Sequence, residues 1–287
     1  MTKIGVIGGS ALYNIESLEV DEKVKVETPF GEPSGEYMKG KLSGKEVVFL
    51  ARHGEGHRLM PSEINYRANI YGFKVLGVDR IIAISAVGSL KEELKPLDML
   101  LVDQFIDRTN SARRMTFFGE GIVAHISFAE PVCPSLRAAI YDLNAKMPVK
   151  IHRDGTYINM EGPAFSTKAE SELYRSWGAD VIGMTNIAEA RLAREAGLCY
   201  ASIAMITDYD CWREGPSAEC VTVEMIIANL MKNAETSKKM LLNTVAGIPG
   251  KRTCSCMNAL KDAIITSKDA IPRATLDKLG PIVKGFI

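Results

Sequence analysis

The 287-residue sequence predicts an α/β fold, a single domain built on a central mixed, largely parallel β-sheet flanked by helices. Three observations point there. Short β-branched, apolar runs alternate with helix-length amphipathic runs, the pattern of strands joined by helical crossovers. Hydrophobic residues make up 46% of the chain, enough for a large buried core. No internal repeat, low-complexity tract or linker interrupts the alternation, so one domain over residues 1–287 is the economical organisation.

In chain order, Lys3 to Ile7 reads as the first strand and Gly8-Gly9-Ser10-Ala11 as its turn. Two glycines after a strand let backbone N–H groups approach an anion, and Ser10 adds a hydroxyl. The turn lacks the third glycine of a dinucleotide fingerprint and the lysine of a P-loop, and most Gly-Gly turns only reverse the chain. Thr28-Pro29-Phe30-Gly31-Glu32-Pro33-Ser34-Gly35 reads as a hairpin-like loop. Glu46 to Ala51 is an apolar strand ending in Arg52-His53-Gly54. A planar, permanently charged guanidinium beside an imidazole suits an oxyanion, although taken alone the pair reads as a surface arginine and a satisfied histidine. Pro61-Ser62 opens a helix through Leu76, with Ser62 as its N-cap.

Asp79 to Ser85 is a buried strand running into Ala86-Val87-Gly88-Ser89, small residues that again let donors face an anion. Met99 to Val102 is a further strand, and Asp103-Gln104-Phe105-Ile106-Asp107-Arg108-Thr109 begins a long polar excursion reaching His125. An excursion of that length is functional or belongs to an oligomer contact. Helices fit Pro134 to Lys146, Thr167 to Trp177, Ile187 to Ala196 and Thr222 to Ala246.

The rest of the chain is organised around Tyr157 to Trp212. Here Met160-Glu161-Gly162-Pro163-Ala164-Phe165-Ser166-Thr167, Gly183-Met184-Thr185-Asn186 and Thr207-Asp208-Tyr209-Asp210-Cys211-Trp212 each follow an apolar strand. In open α/β sheets that edge is where ligands bind.

Lys plus Arg equals Asp plus Glu at 35 each, which removes any bulk electrostatic reason to expect nucleic acid or an anionic membrane. No apolar run approaches the roughly 20 residues of a membrane helix, and Met1-Thr2-Lys3-Ile4-Gly5 lacks a signal-peptide pattern. A cytoplasmic protein with a small ligand is the expectation. Six cysteines are too sparse for a disulfide scaffold. Cys199 and Cys211 lie in or beside apolar runs and read as small buried hydrophobes. Cys254-Ser255-Cys256 reads as a surface turn with two thiols, or more sharply as a redox-active or structural disulfide. Zinc is disfavoured because a site needs four ligands and none of the four histidines lies near the pair.

Gly8-Gly9-Ser10, Arg52-His53-Gly54, Met60-Pro61-Ser62, Ser85 to Ser89, Asp103 to Thr109, Glu161 to Ser166, Met184-Thr185 and Thr207 to Trp212, in this order, are similar to the motifs of the trimeric purine nucleoside phosphorylase / methylthioadenosine phosphorylase family. The resemblance covers residues 3–245 and is loose over 247–287. It implies a nucleoside phosphorylase fold, a homotrimer and a pentosyltransferase of purine and methionine salvage. The reaction would be phosphorolysis of 5′-methylthioadenosine to adenine and 5-methylthioribose 1-phosphate, with inorganic phosphate as co-substrate and no cofactor or metal.

Carried over by residue, the resemblance implies a phosphate site of Ser10, Arg52, His53, Ser85, Ala86 through its backbone, and Thr185. It places Met184 against the ribose, Phe165 against the base, Ser166 and Val223 at specificity positions, and His125 in a neighbouring subunit's 5′ pocket. Asp208 and Asp210 become the catalytic, base-binding acid pair. Their i, i+2 spacing at a strand end lets both carboxylates point to one side, where mutual repulsion raises one pKa and keeps a proton for N7 of the leaving purine. Ser166 would orient Asp208. Isolated D-x-D pairs are otherwise often solvated loop acids, but Thr207, Tyr209 and Trp212 make this segment apolar. The C-x-C pair resembles one found near the C-terminus of some members, where Cys254 and Cys256 would form a disulfide. Ala11 and Ala188 depart from the family pattern without touching a side chain assigned to chemistry.

Two other readings stand beside this one. A phosphorylase for 6-oxopurine nucleosides or 5′-methylthioinosine would typically carry Glu at the Ser166 position and Asn at the Asp208 position. A nucleoside-binding module without catalysis would release no base.

Overall fold

A computed structural model describes residues 2–9, 19–110, 113–213 and 223–287, the side chain of Val223 excepted. The strands are β1 (Ile4–Gly8), β2 (Glu19–Val24), β3 (Tyr37–Leu42), β4 (Lys45–Ala51), β5 (Arg80–Ser89), β6 (Met99–Leu101), β7 (Gln104–Arg108), β8 (Ile151–His152), β9 (Thr156–Met160), β10 (Val181–Gly183) and β11 (Cys199–Asp208). The helices are α1 (Tyr66–Val75), α2 (Pro134–Asn144), α3 (Lys168–Ser176), α4 (Asn186–Glu195), α5 (Val223–Gly247) and α6 (Arg273–Leu279).

All eleven strands join one sheet in the order β2-β3-β4-β1-β5-β10-β9-β7, and β11 branches from β5 toward β6 and β8. The pairs β1–β4, β1–β5, β5–β11, β6–β8, β7–β9 and β9–β10 are parallel. The sheet is mixed and largely parallel, as the alternation of elements predicts. Central strands β1 and β11 are buried along their whole length, which is why they read as unbroken apolar runs rather than alternating ones.

Several boundaries differ from the sequence expectation. Helix α1 starts at Tyr66, not Ser62, because the Asn65 side chain accepts from the Ala68 amide at 3.1 Å and caps it. Strand β5 continues through Ser89, so Ala86 to Ser89 extend the strand and do not form its exit turn. Gln104–Arg108, expected to open an irregular excursion, is β7 and pairs with β9. Helix α3 starts where expected, closed by a capping box between Thr167 and Glu170.

The C-terminal segment packs into the same core, with Leu260, Ile271, Leu279 and Ile282 nearly inaccessible. Cys254 and Cys256 are free thiols, so the disulfide expected between them is not formed. Nor is theirs a surface turn. Cys256 is 2% exposed and sits with Cys133 and Cys199 in the core beneath α2 and α5.

Candidate active site

One cavity of about 440 Å³ opens where the ends of β4, β5, β10 and β11 meet. Strand β10 runs antiparallel to β5, with Ile182 opposite Gly88. Arg52, His53, Ser85, Ala86, Phe165, Met184, Thr185, Asp208 and Asp210 all line this space. Ser166 and His125 do not. Ser10 and Ala11 lie outside the described residues, as does the side chain of Val223.

At one end stands Arg52, 1% exposed. Its Nε donates to Glu189 Oε1 at 2.6 Å, Nη2 to Glu189 Oε2 at 3.3 Å, and Nη1 to the Ile84 carbonyl at 2.8 Å. Burial disfavours the guanidinium charge, but the Glu189 charge and hydrogen bond more than reverse this, so the pKa lies above its ordinary value. Tyr200 Oη donates to Glu189 at 2.8 Å, Asn186 Nδ2 donates to Tyr200 at 2.7 Å, and the Ser85 hydroxyl donates to Asn186 Oδ1 at 2.7 Å. A continuous buried network therefore joins Ser85 to Arg52. Helix α4 begins beside them, with Thr185 as its N-cap residue, and directs its positive end toward the cavity.

The protonation of His53 is set by its neighbours. Its Nδ1 lies 2.9 Å from the Leu59 carbonyl, which can only accept, so Nδ1 carries the proton and the Nε2 of the neutral ring carries none. Burial, the Arg52 charge and the stacked His57 ring push its pKa down to about 4. At neutral pH the imidazole is an acceptor at Nε2, not a second cation.

At the other end lie Asp208, 7% exposed, and Asp210. Asp208 closes β11, whereas Asp210 lies past the strand at φ 51°, in the left-handed region that Asp tolerates. The Asp210 amide donates to Asp208 Oδ1 at 2.8 Å, an Asx-type turn. This turn, not strand alternation, brings both carboxyls to the cavity. Burial raises both pKa values, and for Asp208 the neighbouring Asp210 charge is a lesser contribution. Desolvation, more than mutual repulsion, favours a retained proton.

Thr207 Oγ1 lies 2.6 Å from Asp208 Oδ2 and 3.1 Å from the Val87 carbonyl. When Asp208 is ionised the hydroxyl hydrogen serves the carboxylate. When Asp208 is protonated, Thr207 can accept that proton's hydrogen bond and donate to Val87, so both charge states are satisfied. Thr207, not Ser166, orients Asp208; the Ser166 hydroxyl bears on Asp210, where it and Ser171 oppose the rise. From α5, Asn229 and Asn233 donate to the Thr207 and Ile206 carbonyls, each at 2.8 Å, and hold the end of β11 in place.

Between the two ends the wall is apolar and rich in sulfur, with Met60, Met160, Met184, Met205, Ile182, Ile226 and Leu230. Arg113, buried and unanticipated from sequence, ties the wall together by pairing with Glu161 at 3.0 Å and donating to the Met184 carbonyl.

A family model described as the phosphorylase superfamily matches residues 3–246, most of the chain. The chain belongs to this superfamily. Its similarity to particular members extends over the full length. It is 57% identical to the S-methyl-5′-thioadenosine phosphorylase of Koribacter versatilis, over 98% of this chain and 95% of that one. It is 56% identical to the protein of the same name from Geobacter sulfurreducens, over 99% of each. Among solved structures it resembles a methylthioadenosine phosphorylase from an antarctic soil metagenomic library, with a TM-score of 0.91, 47% identity and 98% coverage of both chains. It also resembles the Schistosoma mansoni methylthioadenosine phosphorylase in complex with adenine, with a TM-score of 0.83, 36% identity and coverage of 88% of this chain and 93% of that one.

Proposed function

We propose that this superfamily member is an S-methyl-5′-thioadenosine phosphorylase, converting 5′-methylthioadenosine and phosphate to adenine and 5-methylthioribose 1-phosphate. The observation that carries the reading is a single cavity with a cationic, hydroxyl-lined end, a buried two-carboxyl end and a thioether-rich apolar wall between them. Full-length similarity to phosphorylases of that name supports it.

In this reading phosphate binds between Arg52, Ser85, the Ala86 backbone, Thr185 and the start of α4, and the family resemblance adds Ser10. His53 Nε2 accepts the O–H of monohydrogen phosphate, which orients an unprotonated oxygen toward the sugar. That oxygen bonds to the anomeric carbon as the bond to purine N9 breaks and its electron pair passes to the base. A protonated acid of the Asp208–Asp210 pair neutralises the charge at N7, and the carboxylate partner accepts from the 6-amino group. Phe165, 57% exposed at the cavity mouth, covers the base, and Met184 lies against the ribose. A methylthio group suits the apolar wall better than a hydroxyl does.

Every step is carried by side chains and phosphate, so the reading calls for no catalytic cofactor. Among the described residues no helix is long and apolar enough to cross a membrane, and a cytoplasmic homotrimer completes the proposal. The test is a nucleoside panel with and without phosphate, monitored for free base. Release of adenine from 5′-methylthioadenosine only when phosphate is present is the expected result. A 6-oxopurine preference, or binding without release, would replace the reading.

A further inference from the structure

The Sγ atoms of Cys133, Cys199, Cys254 and Cys256, drawn from three well-separated stretches of the sequence, all lie within 4.8 Å of one another. The sulfurs of Cys199 and Cys254 lie 3.2 Å apart. None of the four lines the catalytic cavity. A tetrahedral thiolate site with metal–sulfur bonds of roughly 2.3 Å has sulfur–sulfur edges of roughly 3.8 Å, so the four thiols need only small adjustments to surround one ion.

We propose that these four cysteines form a structural tetrathiolate site for a zinc ion, which fastens the C-terminal segment to the central sheet.

Rigid elements hold three of the ligands. Cys133 is the residue before α2, and its amide donates to the Tyr200 carbonyl at 2.8 Å. Cys199 starts β11, and its amide donates to the Asp79 carbonyl at 3.1 Å. Cys256 starts a 3-10 turn over Cys256–Asn258, and Cys254 reaches back from two residues earlier. Preorganised backbone of this kind lowers the entropy lost on binding.

The surroundings suit a closed metal centre rather than a catalytic one. Cys133, Cys199 and Cys256 are at most 2% exposed and sit among apolar residues of the core, with no open position for substrate. A zinc tetrathiolate carries two net negative charges. The N-terminal end of α2 offsets part of this. Two cations lie along the chain leading into Cys199: Lys74 donates to the Ala196 carbonyl at 2.8 Å and Arg252 to the Gly197 carbonyl at 2.9 Å. Arg252 and the C-x-C pair belong to the same C-terminal segment, so cation and ligands anchor it together.

Binding would exchange four S–H bonds for four S–Zn bonds and release four protons to solvent, with no change of oxidation state. Two disulfides would instead require an oxidant to remove two electrons for each bond.

The test is metal analysis of the full-length protein purified without chelator from zinc-supplied cells, combined with a thiol count and intact mass. The expected result is about one zinc per chain, with four of the six cysteines unreactive until the metal is displaced. Cobalt substitution should add thiolate-to-cobalt charge-transfer bands and tetrahedral ligand-field bands, a readout that needs no variant to fold. A Cys254→Ser, Cys256→Ser variant should lose the zinc and melt at a lower temperature while its kcat/KM for nucleoside stays within about twofold of wild type. Absence of stoichiometric zinc, freely reacting thiols, or a mass lighter by the four hydrogens of two disulfides would overturn the proposal.

Discussion

Glu189 grips the buried guanidinium of Arg52 through two oxygens, at 2.6 and 3.3 Å, and neither side chain is more than 2% exposed. The arginine is thus presented to the cavity on a fixed counter-charge. Removing one partner of such a pair leaves an uncompensated buried charge, so Glu189→Gln should lower unfolding stability by about 3–5 kcal/mol. Saturating phosphate should restore more stability to the variant than to wild type, because the anion supplies part of the missing charge. Denaturation curves with and without phosphate check both statements, and equal phosphate effects in the two proteins would contradict them.

Gly88 touches the acid pair. A Cβ there would lie 3.0 Å from Asp208 Oδ1, 3.1 Å from Ile182 Cγ2 and 3.3 Å from Asp210 Cβ. The Asp208 carboxyl is pinned by Thr207 and by the Asp210 amide, so it can move only by losing a hydrogen bond. Gly88→Ala should therefore lower kcat by roughly 10- to 100-fold through misplacement of the acids. Stability should change far less than activity. Steady-state kinetics beside a melting curve separate these, and an unaffected kcat would show that the acids tolerate displacement.

Glu195 gives a pH signature. Its carboxylate accepts from the Phe117 amide and the Thr116 hydroxyl, each at 2.7 Å, yet burial pushes its pKa up to about 7. The folded state then holds a proton that the unfolded state has released. This contribution is complete below the ordinary glutamate range near 4.5 and is lost as pH rises to about 7. Glu195→Gln stays neutral throughout and should flatten the decline of melting temperature between those limits. His53, lowered to about 4, acts oppositely by destabilising the fold as pH falls from about 6.5 toward 4. An unchanged slope in Glu195→Gln would contradict the assignment.

His125 lies exposed and outside the cavity of its own chain. If the chain is a homotrimer in which this residue reaches a neighbour's 5′ pocket, His125→Ala should raise KM for 5′-methylthioadenosine several-fold and leave the phosphate KM nearly unchanged. Light scattering and the two KM values test this together. An active monomer would refute it.

Much of the fold and half of the site could be read from residues alone. The apolar runs ending at Ala51, Met160, Ile182 and Ile206 were visible meeting small or polar residues, and the cavity forms just beyond them. What escaped depends on partners distant in sequence. Glu189 looks like one more acid on an amphipathic helix, and Arg113 like one more base in a polar stretch, until folding buries them against Arg52 and Glu161. Asn229 and Asn233 are ordinary helix residues whose work appears only when α5 crosses the end of β11. The cysteines mislead for the same reason. The C-x-C pair lacks neighbouring histidines, but its companions are thiols from the residue before α2 and from the start of β11. Local pattern also misplaced the start of α1, because Asn65 caps more effectively in context than Ser62.

Base selection by Asp208 is the centre of the functional account, and one comparison tests it most directly. A carboxylate meets the 6-amino group of adenine with a hydrogen bond and the 6-oxo group of hypoxanthine with repulsion. Asp208→Asn preserves size, removes the acid and can donate as well as accept. The measurement is kcat/KM for 5′-methylthioadenosine and 5′-methylthioinosine, with saturating phosphate, in wild type and in Asp208→Asn. Wild type should prefer the 6-amino substrate strongly. The variant should lose roughly 10²- to 10⁴-fold on 5′-methylthioadenosine, because removing one carboxyl of the pair takes away both the 6-amino acceptor and the group that shares the proton for N7, while its relative use of 5′-methylthioinosine rises. A wild type that already favours 5′-methylthioinosine, or a ratio that does not move in the variant, would show that Asp208 does not read the base.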